Sequence, residues 1–156
     1  GRLVAEQLGF DFVDTDEMIE SRTGKSITQI FADQGEVHFR ELEHQLCVEL
    51  GARIDMVIST GGGLPTRQAN IDSLKNHALV VCLWCSAERI WERVRSQSHR
   101  PLLQTPDPKA KIRELLATRA PFYRQADILL NTENRSQRQV VQQVVQHFKE
   151  ARANSK

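Results

Sequence analysis

The sequence contains few aromatic residues, few cysteines and almost no net charge. Aromatic residues make up 6% of the 156 residues, three cysteines are present, and the formal net charge is +1 at pH 7. Three cysteines cannot all pair, so a disulfide-stapled scaffold is not expected. The near balance of charge gives no reason to expect nucleic acid or an acidic membrane as a partner. No apolar run approaches the roughly 20 residues of a membrane helix.

The remaining composition is that of one soluble globular domain over residues 1–156. Hydrophobic residues make up 40% and charged residues 26% of the chain. Fifteen of the 21 basic residues are arginine, the side chain that grips carboxylates and phosphates through parallel hydrogen bonds. A solvated surface also accepts arginines, so their number alone does not identify a site.

Cys82 and Cys85 in "VVCLWCS" invite a redox or zinc interpretation. The stretch is strand-like, so residues three apart point to opposite faces, and no second Cys or His pair completes a metal site. Buried, reduced cysteines are favoured, which suits a reducing compartment such as the cytoplasm. A plastid location through an upstream transit peptide stays open.

Short apolar strands alternate with helices along the chain. The predicted strands are "FDFVD", "MVIST", "ALVVCLW" and "ADILLNT". Helical patterns separate them, including two at residues 27–33 and 37–50. This alternation predicts an α/β domain with a mostly parallel sheet covered on both faces. Ligands in such domains bind beyond the carboxyl ends of the strands, which here carry Asp14, Asp16, three glycines and Asn131-Thr132.

Asp14 and Asp16 stand two apart at a predicted strand end, so their side chains are expected to share one face. One carboxylate could hold a magnesium-bound water while the other accepts a hydrogen bond from a substrate hydroxyl. The alternative is structural, because Asp14 or Thr15 could cap the helix that begins near Glu17.

"GEVHFRELE" places Glu36, Arg40 and Glu43 on one helical face. They could be surface ion pairs worth about 0.2–0.5 kcal/mol each, or acidic neighbours that hold Arg40 towards an anionic substrate. The three successive glycines in "ISTGGGLP" are costly unless something must approach the backbone closely.

Gly24-Lys25-Ser26 looks like the end of a nucleotide-binding loop. The full loop needs a glycine five positions before its second glycine, and that position here is Ile19. The tripeptide is therefore interpreted as a decoy. "HRPLL", within a polar segment near residues 97–108, is typical of a mobile lid whose Arg100 could reach phosphate, or of a plain surface loop.

In this order and spacing, the pieces resemble shikimate kinase, a small P-loop kinase of the nucleoside-monophosphate-kinase type. The matching stretches are "GRLVAEQLG", "FVDTD", "GKSITQIFADQGEVHFRELE", "STGGGLP", "RPLL" and "RAPFYRQAD". The resemblance implies a three-layer α/β/α fold with strand order 2-3-1-4-5. It also implies ATP-dependent phosphorylation of the shikimate 3-hydroxyl in chorismate biosynthesis, with Mg²⁺ and a monomeric protein.

The resemblance also implies roles for individual residues. Asp16, Arg40, Arg119 and the glycines Gly61, Gly62 and Gly63 match the shikimate-binding set, with Asp16 able to take the reacting proton and Glu43 steadying Arg40. Asp14 matches the residue that holds magnesium through water. Arg100 matches the lid arginine that reaches ATP phosphate, and Arg135 in "TENRSQ" matches the adenine-side arginine.

The family's phosphate loop and first strand do not occur within the sequence, and we expect them to precede Gly1 in a longer natural protein. A parallel sheet without its central strand leaves unpaired backbone edges. Two other functions fit the same chain. One is a non-catalytic binding or regulatory relative that has lost the loop. The other is a sister kinase such as gluconate kinase, although both Arg40 and Arg119 speak against it.

Overall fold

A computed structural model describes residues 1–95 and 105–154 of the chain. The elements in chain order are α1 (Arg2–Leu8), β1 (Asp11–Asp14), α2 (Thr15–Thr23), α3 (Ile27–Leu50), β2 (Met56–Ser59), a 3₁₀ turn (Leu64–Thr66), α4 (Gln68–His77), β3 (Val81–Trp84), α5 (Ala87–Val94), α6 (Pro108–Tyr123), β4 (Ile128–Asn131) and α7 (Gln137–Asn154). All the predicted strands are present, each trimmed to four residues.

The described strands form two separate parallel pairs, β1 with β2 and β3 with β4. Asp11 pairs with Met56 at the start of the first pair, and Val81 pairs with Ile128 at the start of the second. The two pairs match the neighbours 2-3 and 4-5 in the order 2-3-1-4-5 that the resemblance implies. The α/β class and the parallel pairing predicted from the sequence are confirmed.

The first pair of strands has helices on both of its faces because side chains alternate along a strand. Val57 of β2 points to the side where α1 and α7 pack around Val4, Val141 and Val145. Its neighbours Met56 and Ile58 contact the opposite cluster, which is formed by α2 and α3. The alternating burial of one strand therefore makes three layers.

Helices α5 and α6 pack against each other through Ala87, Val94 and Ile112. The loop after β2 has its own small core, in which Leu64 packs with Cys47 of α3 and Leu74 of α4. That core fastens the carboxyl end of β2 to two helices. None of the helices within the described ranges is long and apolar enough to cross a membrane.

Gly35 explains why the sequence predicted two helices where the structure has the single element α3. Its backbone angles are φ 82° and ψ 169°, which are not helical, so the element is kinked at this residue. A positive φ is readily adopted only by glycine. The kink separates the first turns of α3 from the segment that carries Arg40.

Candidate functional site

The three glycines beyond β2 lie against three charged side chains, one for each glycine. A Cβ atom built on Gly61 would lie 3.1 Å from Asp16 Oδ1, and one on Gly62 would lie 3.2 Å from Arg119 Nη1. A Cβ atom on Gly63 would overlap the guanidinium of Arg40, at 2.6 Å from its Cζ. Residues predicted from distant parts of the sequence therefore meet at one loop, which we call the acceptor loop (residues 61–63).

Close approach, and not an unusual backbone angle, explains why these positions are glycine. The glycines with positive φ are Gly9, Gly24 and Gly35, and the acceptor loop is not among them. Real Cβ atoms rarely come within 3.4 Å of another heavy atom, so side chains at residues 61–63 would push the charged groups away. The glycines let those groups sit directly on the backbone.

Arg40 is held by two acidic neighbours on its own helix. Its Nη1 donates to Glu43 Oε2 at 2.7 Å, and its Nη2 and Nε donate to Glu36 Oε1 at 2.7 and 3.2 Å. The side chain of Glu43 is 1% exposed, whereas those of Arg40 and Glu36 are 24% and 53% exposed. The buried carboxylate fixes one edge of the guanidinium, as expected for a preorganised anion-binding arginine.

The electrostatics of this pair reflect its burial. Burial raises the pKa of the Glu43 carboxyl above its usual value, although the hydrogen bond from Arg40 lowers it, and the nearby Asp16 and Arg119 also act on it in opposite directions. Burial acts to lower the pKa of Arg40, but the bonds to Glu43 and Glu36 outweigh it and leave that pKa raised. Arg40 is thus a permanent cation beside the acceptor loop.

The two aspartates have different surroundings, which corrects the prediction that they share the face of a strand. β1 ends at Asp14, and Asp16 lies in the first turn of α2. Asp14 caps that helix, because its Oδ1 accepts hydrogen bonds from the backbone N–H of Asp16 at 3.0 Å and of Glu17 at 3.4 Å. Asp16 turns its carboxylate to Gly61. The capping alternative is therefore correct for Asp14, and a metal role has to coexist with it.

Three consecutive carbonyl groups, starting in the acceptor loop, accept hydrogen bonds from side chains that have no role in the sequence prediction. Tyr123 Oη donates to Gly62 O at 2.8 Å, and Thr66 Oγ1 donates to Gly63 O at 2.7 Å. Asn70 Nδ2 donates to the next carbonyl, that of Leu64, at 2.9 Å. Tyr123 belongs to the quoted stretch "RAPFYRQAD", but nothing in the local pattern shows that it reaches the loop.

Arg135 lies at the other predicted subsite, between β4 and α7. Its guanidinium donates to the carbonyl of Asn131 at the end of β4. It lines an open polar depression together with Glu88, Arg89 and Glu133. Glu133 accepts hydrogen bonds at 2.7 Å from the N–H and the hydroxyl of Ser86, which caps α5. Arg100 and most of the predicted lid lie outside the described residues.

Gly24-Lys25-Ser26 forms the junction between α2 and α3. Gly24 ends α2 in the left-handed conformation with φ 66°, and Ser26 begins α3 with a capping box to Gln29. Lys25 pairs with Asp33 at 2.8 Å on the surface. These contacts support the interpretation of the tripeptide as a decoy.

The cysteines are all free thiols, with Cys47 and Cys85 buried. Burial raises the pKa of the thiols of Cys47 and Cys82, which lowers their reactivity. Within the ranges that the structure covers, there is no group of three His, Cys, Asp or Glu side chains that could hold a metal ion.

The three-layer arrangement of parallel strands and helices is that of the P-loop type of kinase fold. The chain is a member of the shikimate kinase family, since the model of that family matches residues 1–149.

Known shikimate kinases are similar to this chain over most of its length. The shikimate kinase of Thermodesulfovibrio yellowstonii is 40% identical over 148 residues, which cover 95% of this chain and 86% of the relative. That of a Synechococcus strain is 48% identical over 129 residues, which cover 82% and 68%.

Solved structures agree with this assignment. Shikimate kinase from Acinetobacter baumannii in complex with shikimate superposes with a TM-score of 0.92 at 38% identity, covering 97% of this chain and 85% of that one. The Aquifex aeolicus enzyme gives a TM-score of 0.82 at 32% identity, with coverages of 96% and 87%.

Proposed function

We propose that the protein transfers the terminal phosphoryl group of ATP to the 3-hydroxyl of shikimate, in the biosynthesis of chorismate and the aromatic amino acids. The observation that carries the proposal is the acceptor loop, where Asp16, Arg119 and Arg40 each lie against one glycine. Two cations and one carboxylate around a bare backbone suit a small ligand with an acidic end and a hydroxyl-bearing end.

The carboxylate of shikimate is the group that Arg40 and Arg119 would hold. They approach the adjacent residues Gly63 and Gly62, so an anion bound there lies within reach of both. Glu36 accepts hydrogen bonds from Nε and Nη2 of Arg40, and Glu43 accepts one from Nη1. Together they keep the side chain in one rotamer, which leaves less conformational entropy to lose when the anion binds.

Asp16 is proposed as the residue that orients the reacting hydroxyl and accepts its proton. Its carboxylate sits against Gly61, one residue from the glycine that Arg119 contacts. In phosphoryl transfer there is little covalent work for the protein, so holding the acceptor oxygen in line is the main contribution of such a residue.

The family implies a nucleotide and a metal ion, and we propose ATP and Mg²⁺. Mg²⁺ keeps several waters when it binds proteins, which suits Asp14 because one of its oxygens is already committed to the cap of α2. When bound, the ion would neutralise charge on the transferring phosphate. Arg100 is proposed to contact phosphate, and Arg135, beside the polar depression, to contact the adenine side.

A non-catalytic relative is not favoured, because the chain keeps the whole acceptor set and its supporting glutamates. We propose a monomer in the cytoplasm. The acceptor set comes from a single chain, and free thiols suit a reducing compartment. Light scattering at several concentrations measures the oligomeric state.

Titration calorimetry with shikimate, in the absence of nucleotide, tests the proposal. Arg40→Lys and Arg119→Lys keep the positive charge but lose the planar fork, so each should weaken binding by about 1.5–3 kcal/mol, the scale of a charge-assisted hydrogen bond. Arg22→Lys is the matched control, because Arg22 makes a bidentate pair with Glu49 away from the loop. Unchanged binding by both pocket variants would refute the assignment.

A further inference from the structure

The hydrogen bond from Tyr123 differs from the other two bonds that hold the loop carbonyls. Thr66 and Asn70 lie only three and six residues beyond the carbonyls they bind. Asn70 is held in turn by His44 of α3, whose Nδ1 lies 2.7 Å from Asn70 Oδ1. Tyr123 is 61 residues away from Gly62 in the sequence. Its bond therefore joins the loop to a separate element, α6.

Helix α6 also carries Arg119, which lies one turn before Tyr123 on the same face. Both side chains reach the same glycine: a Cβ atom on Gly62 would lie 2.9 Å from Tyr123 Oη and 3.2 Å from Arg119 Nη1. The hydroxyl thus fixes the distance between the loop and the helix that supplies one of the two arginines.

The same bond fixes the orientation of a peptide group. Because a trans peptide is planar, the N–H of Gly63 points away from the carbonyl oxygen of Gly62. Once Tyr123 holds that oxygen, the N–H of Gly63 can face only the other side of the peptide. Loss of the hydroxyl would free the peptide to rotate, since glycine offers little steric resistance.

We propose that Tyr123 is a positioning residue for the acceptor, acting through the Gly62–Gly63 peptide and the placement of Arg119. The inference rests on the proposed function, because it takes shikimate as the ligand at the loop. Tyr123 need not touch the ligand. Its hydroxyl keeps the two halves of the anion site, one on α3 and one on α6, at a constant separation.

The test compares Tyr123→Phe with the parent and with Thr118→Val. The phenylalanine variant removes only the hydroxyl, so the fold should be kept. Thr118 also donates a hydroxyl hydrogen bond from α6, to Glu114 O at 2.9 Å, but does not contact the loop. Shikimate affinity is measured by nucleotide-free calorimetry. Selective ¹⁵N-glycine labelling gives a simple amide spectrum, because the chain contains only eight glycines.

Tyr123→Phe should raise the dissociation constant for shikimate roughly three- to tenfold, the range for one hydrogen bond, and should lower the melting temperature by less than about 3 °C. The amide resonances of Gly62 and Gly63 should move in Tyr123→Phe and stay in place in Thr118→Val. A merely structural role would lower the melting temperature without a selective loss of shikimate affinity, so a weaker affinity with melting almost unchanged identifies the positioning role.

Unchanged shikimate affinity in Tyr123→Phe would overturn the inference, and so would an equal loss of affinity in Thr118→Val. A weaker affinity without movement of the two glycine resonances would overturn the proposed route through the peptide. If the parent itself failed to bind shikimate, the proposed function would be wrong. If the parent and Tyr123→Phe bound shikimate equally well, only the role of Tyr123 would be wrong, so the two failures are distinguishable.

Discussion

Alanine substitutions through the acceptor loop should weaken shikimate binding in a graded order, largest at Gly63 and smallest at Gly61. A methyl group on Gly63 would overlap the guanidinium of Arg40, with 2.6 Å to its Cζ and 2.8 Å to its Nη2. On Gly62 it would lie 2.9 Å from Tyr123 Oη, and on Gly61 it would lie 3.1 Å from the nearest Asp16 oxygen. The overlap decreases along the series, so the displacement of the charged groups should decrease as well.

The magnitude at Gly63 follows from what holds Arg40. The guanidinium is the far end of a flexible side chain, so it moves and the fold survives. Moving it breaks the 2.7 Å bond to the buried Glu43, and hydrogen bonds to charged groups are worth about 1.5–3 kcal/mol. We expect Gly63→Ala to weaken shikimate binding by about 10- to 150-fold. Gly61→Ala needs only a few tenths of an ångström of adjustment, so its loss should stay below about tenfold.

The assay is calorimetric titration with shikimate, accompanied by a melting curve for each variant. Gly51→Ala is the matched control, because its methyl group would lie 2.8 Å from the side chain of His77, away from the acceptor loop. It should leave the affinity unchanged. The argument from close approach would be wrong if Gly63→Ala bound shikimate as tightly as the parent. It would also be wrong if Gly61→Ala lost the most shikimate affinity of the three variants.

Three further predictions concern the metal, the lid and the buried carboxylate. Asp14→Asn keeps an oxygen that can cap α2, so melting should be unchanged while Mg²⁺-dependent turnover falls; Asp14→Ala should lower both. In a protein that includes the phosphate loop, Arg100→Ala should lower turnover and ATP affinity and leave nucleotide-free shikimate affinity nearly unchanged. An equal loss of shikimate affinity would place Arg100 in the acceptor pocket. Burial raises the pKa of Glu43 above the ordinary 4.5. That group therefore stabilises the fold below pH 4.5 and loses this contribution as the pH rises through the raised pKa. As the pH rises through that pKa, the melting temperature of Glu43→Gln should increase relative to that of the parent. A difference in melting temperature that does not change with pH would contradict the raised pKa of Glu43.

The strand and helix order could be predicted because each element leaves a local signal. Val57 packs on one face of β2 and Met56 and Ile58 pack on the other. A strand that is covered on both faces appears in the sequence as one short apolar run. Element ends were less accurate, because they depend on caps. Asp16 was expected at a strand end, but the carboxylate of Asp14 captures two backbone N–H groups and starts a helix immediately.

The predicted residues Asp16, Arg40 and Arg119 meet at the loop, but the contacts that support the loop were missed. Tyr123 reaches Gly62 by one hydrogen bond across 61 residues of sequence. Asn70 is 1% exposed, and in the sequence it is one residue of a helical pattern. In the fold its side chain bonds both His44 and the carbonyl of Leu64. A bond of this kind depends on how the helices pack. Such a bond leaves no pattern of residue spacing or composition in a single sequence from which it could be predicted.

The glycines show how far local reasoning extends. Gly24 precedes Lys25 in the sequence, and Gly63 lies against Arg40 in the fold. The two positions require glycine for different reasons. Gly24 adopts φ 66° and nothing lies within 4 Å of where its Cβ would be, so the backbone angle requires glycine there. Gly63 has an ordinary φ of −87°, and the nearby guanidinium requires glycine there. One glycine after a helix provides the positive φ that ends the helix. Three glycines in succession are more than a turn needs, so the acceptor loop was the stronger indication of a functional site in the sequence.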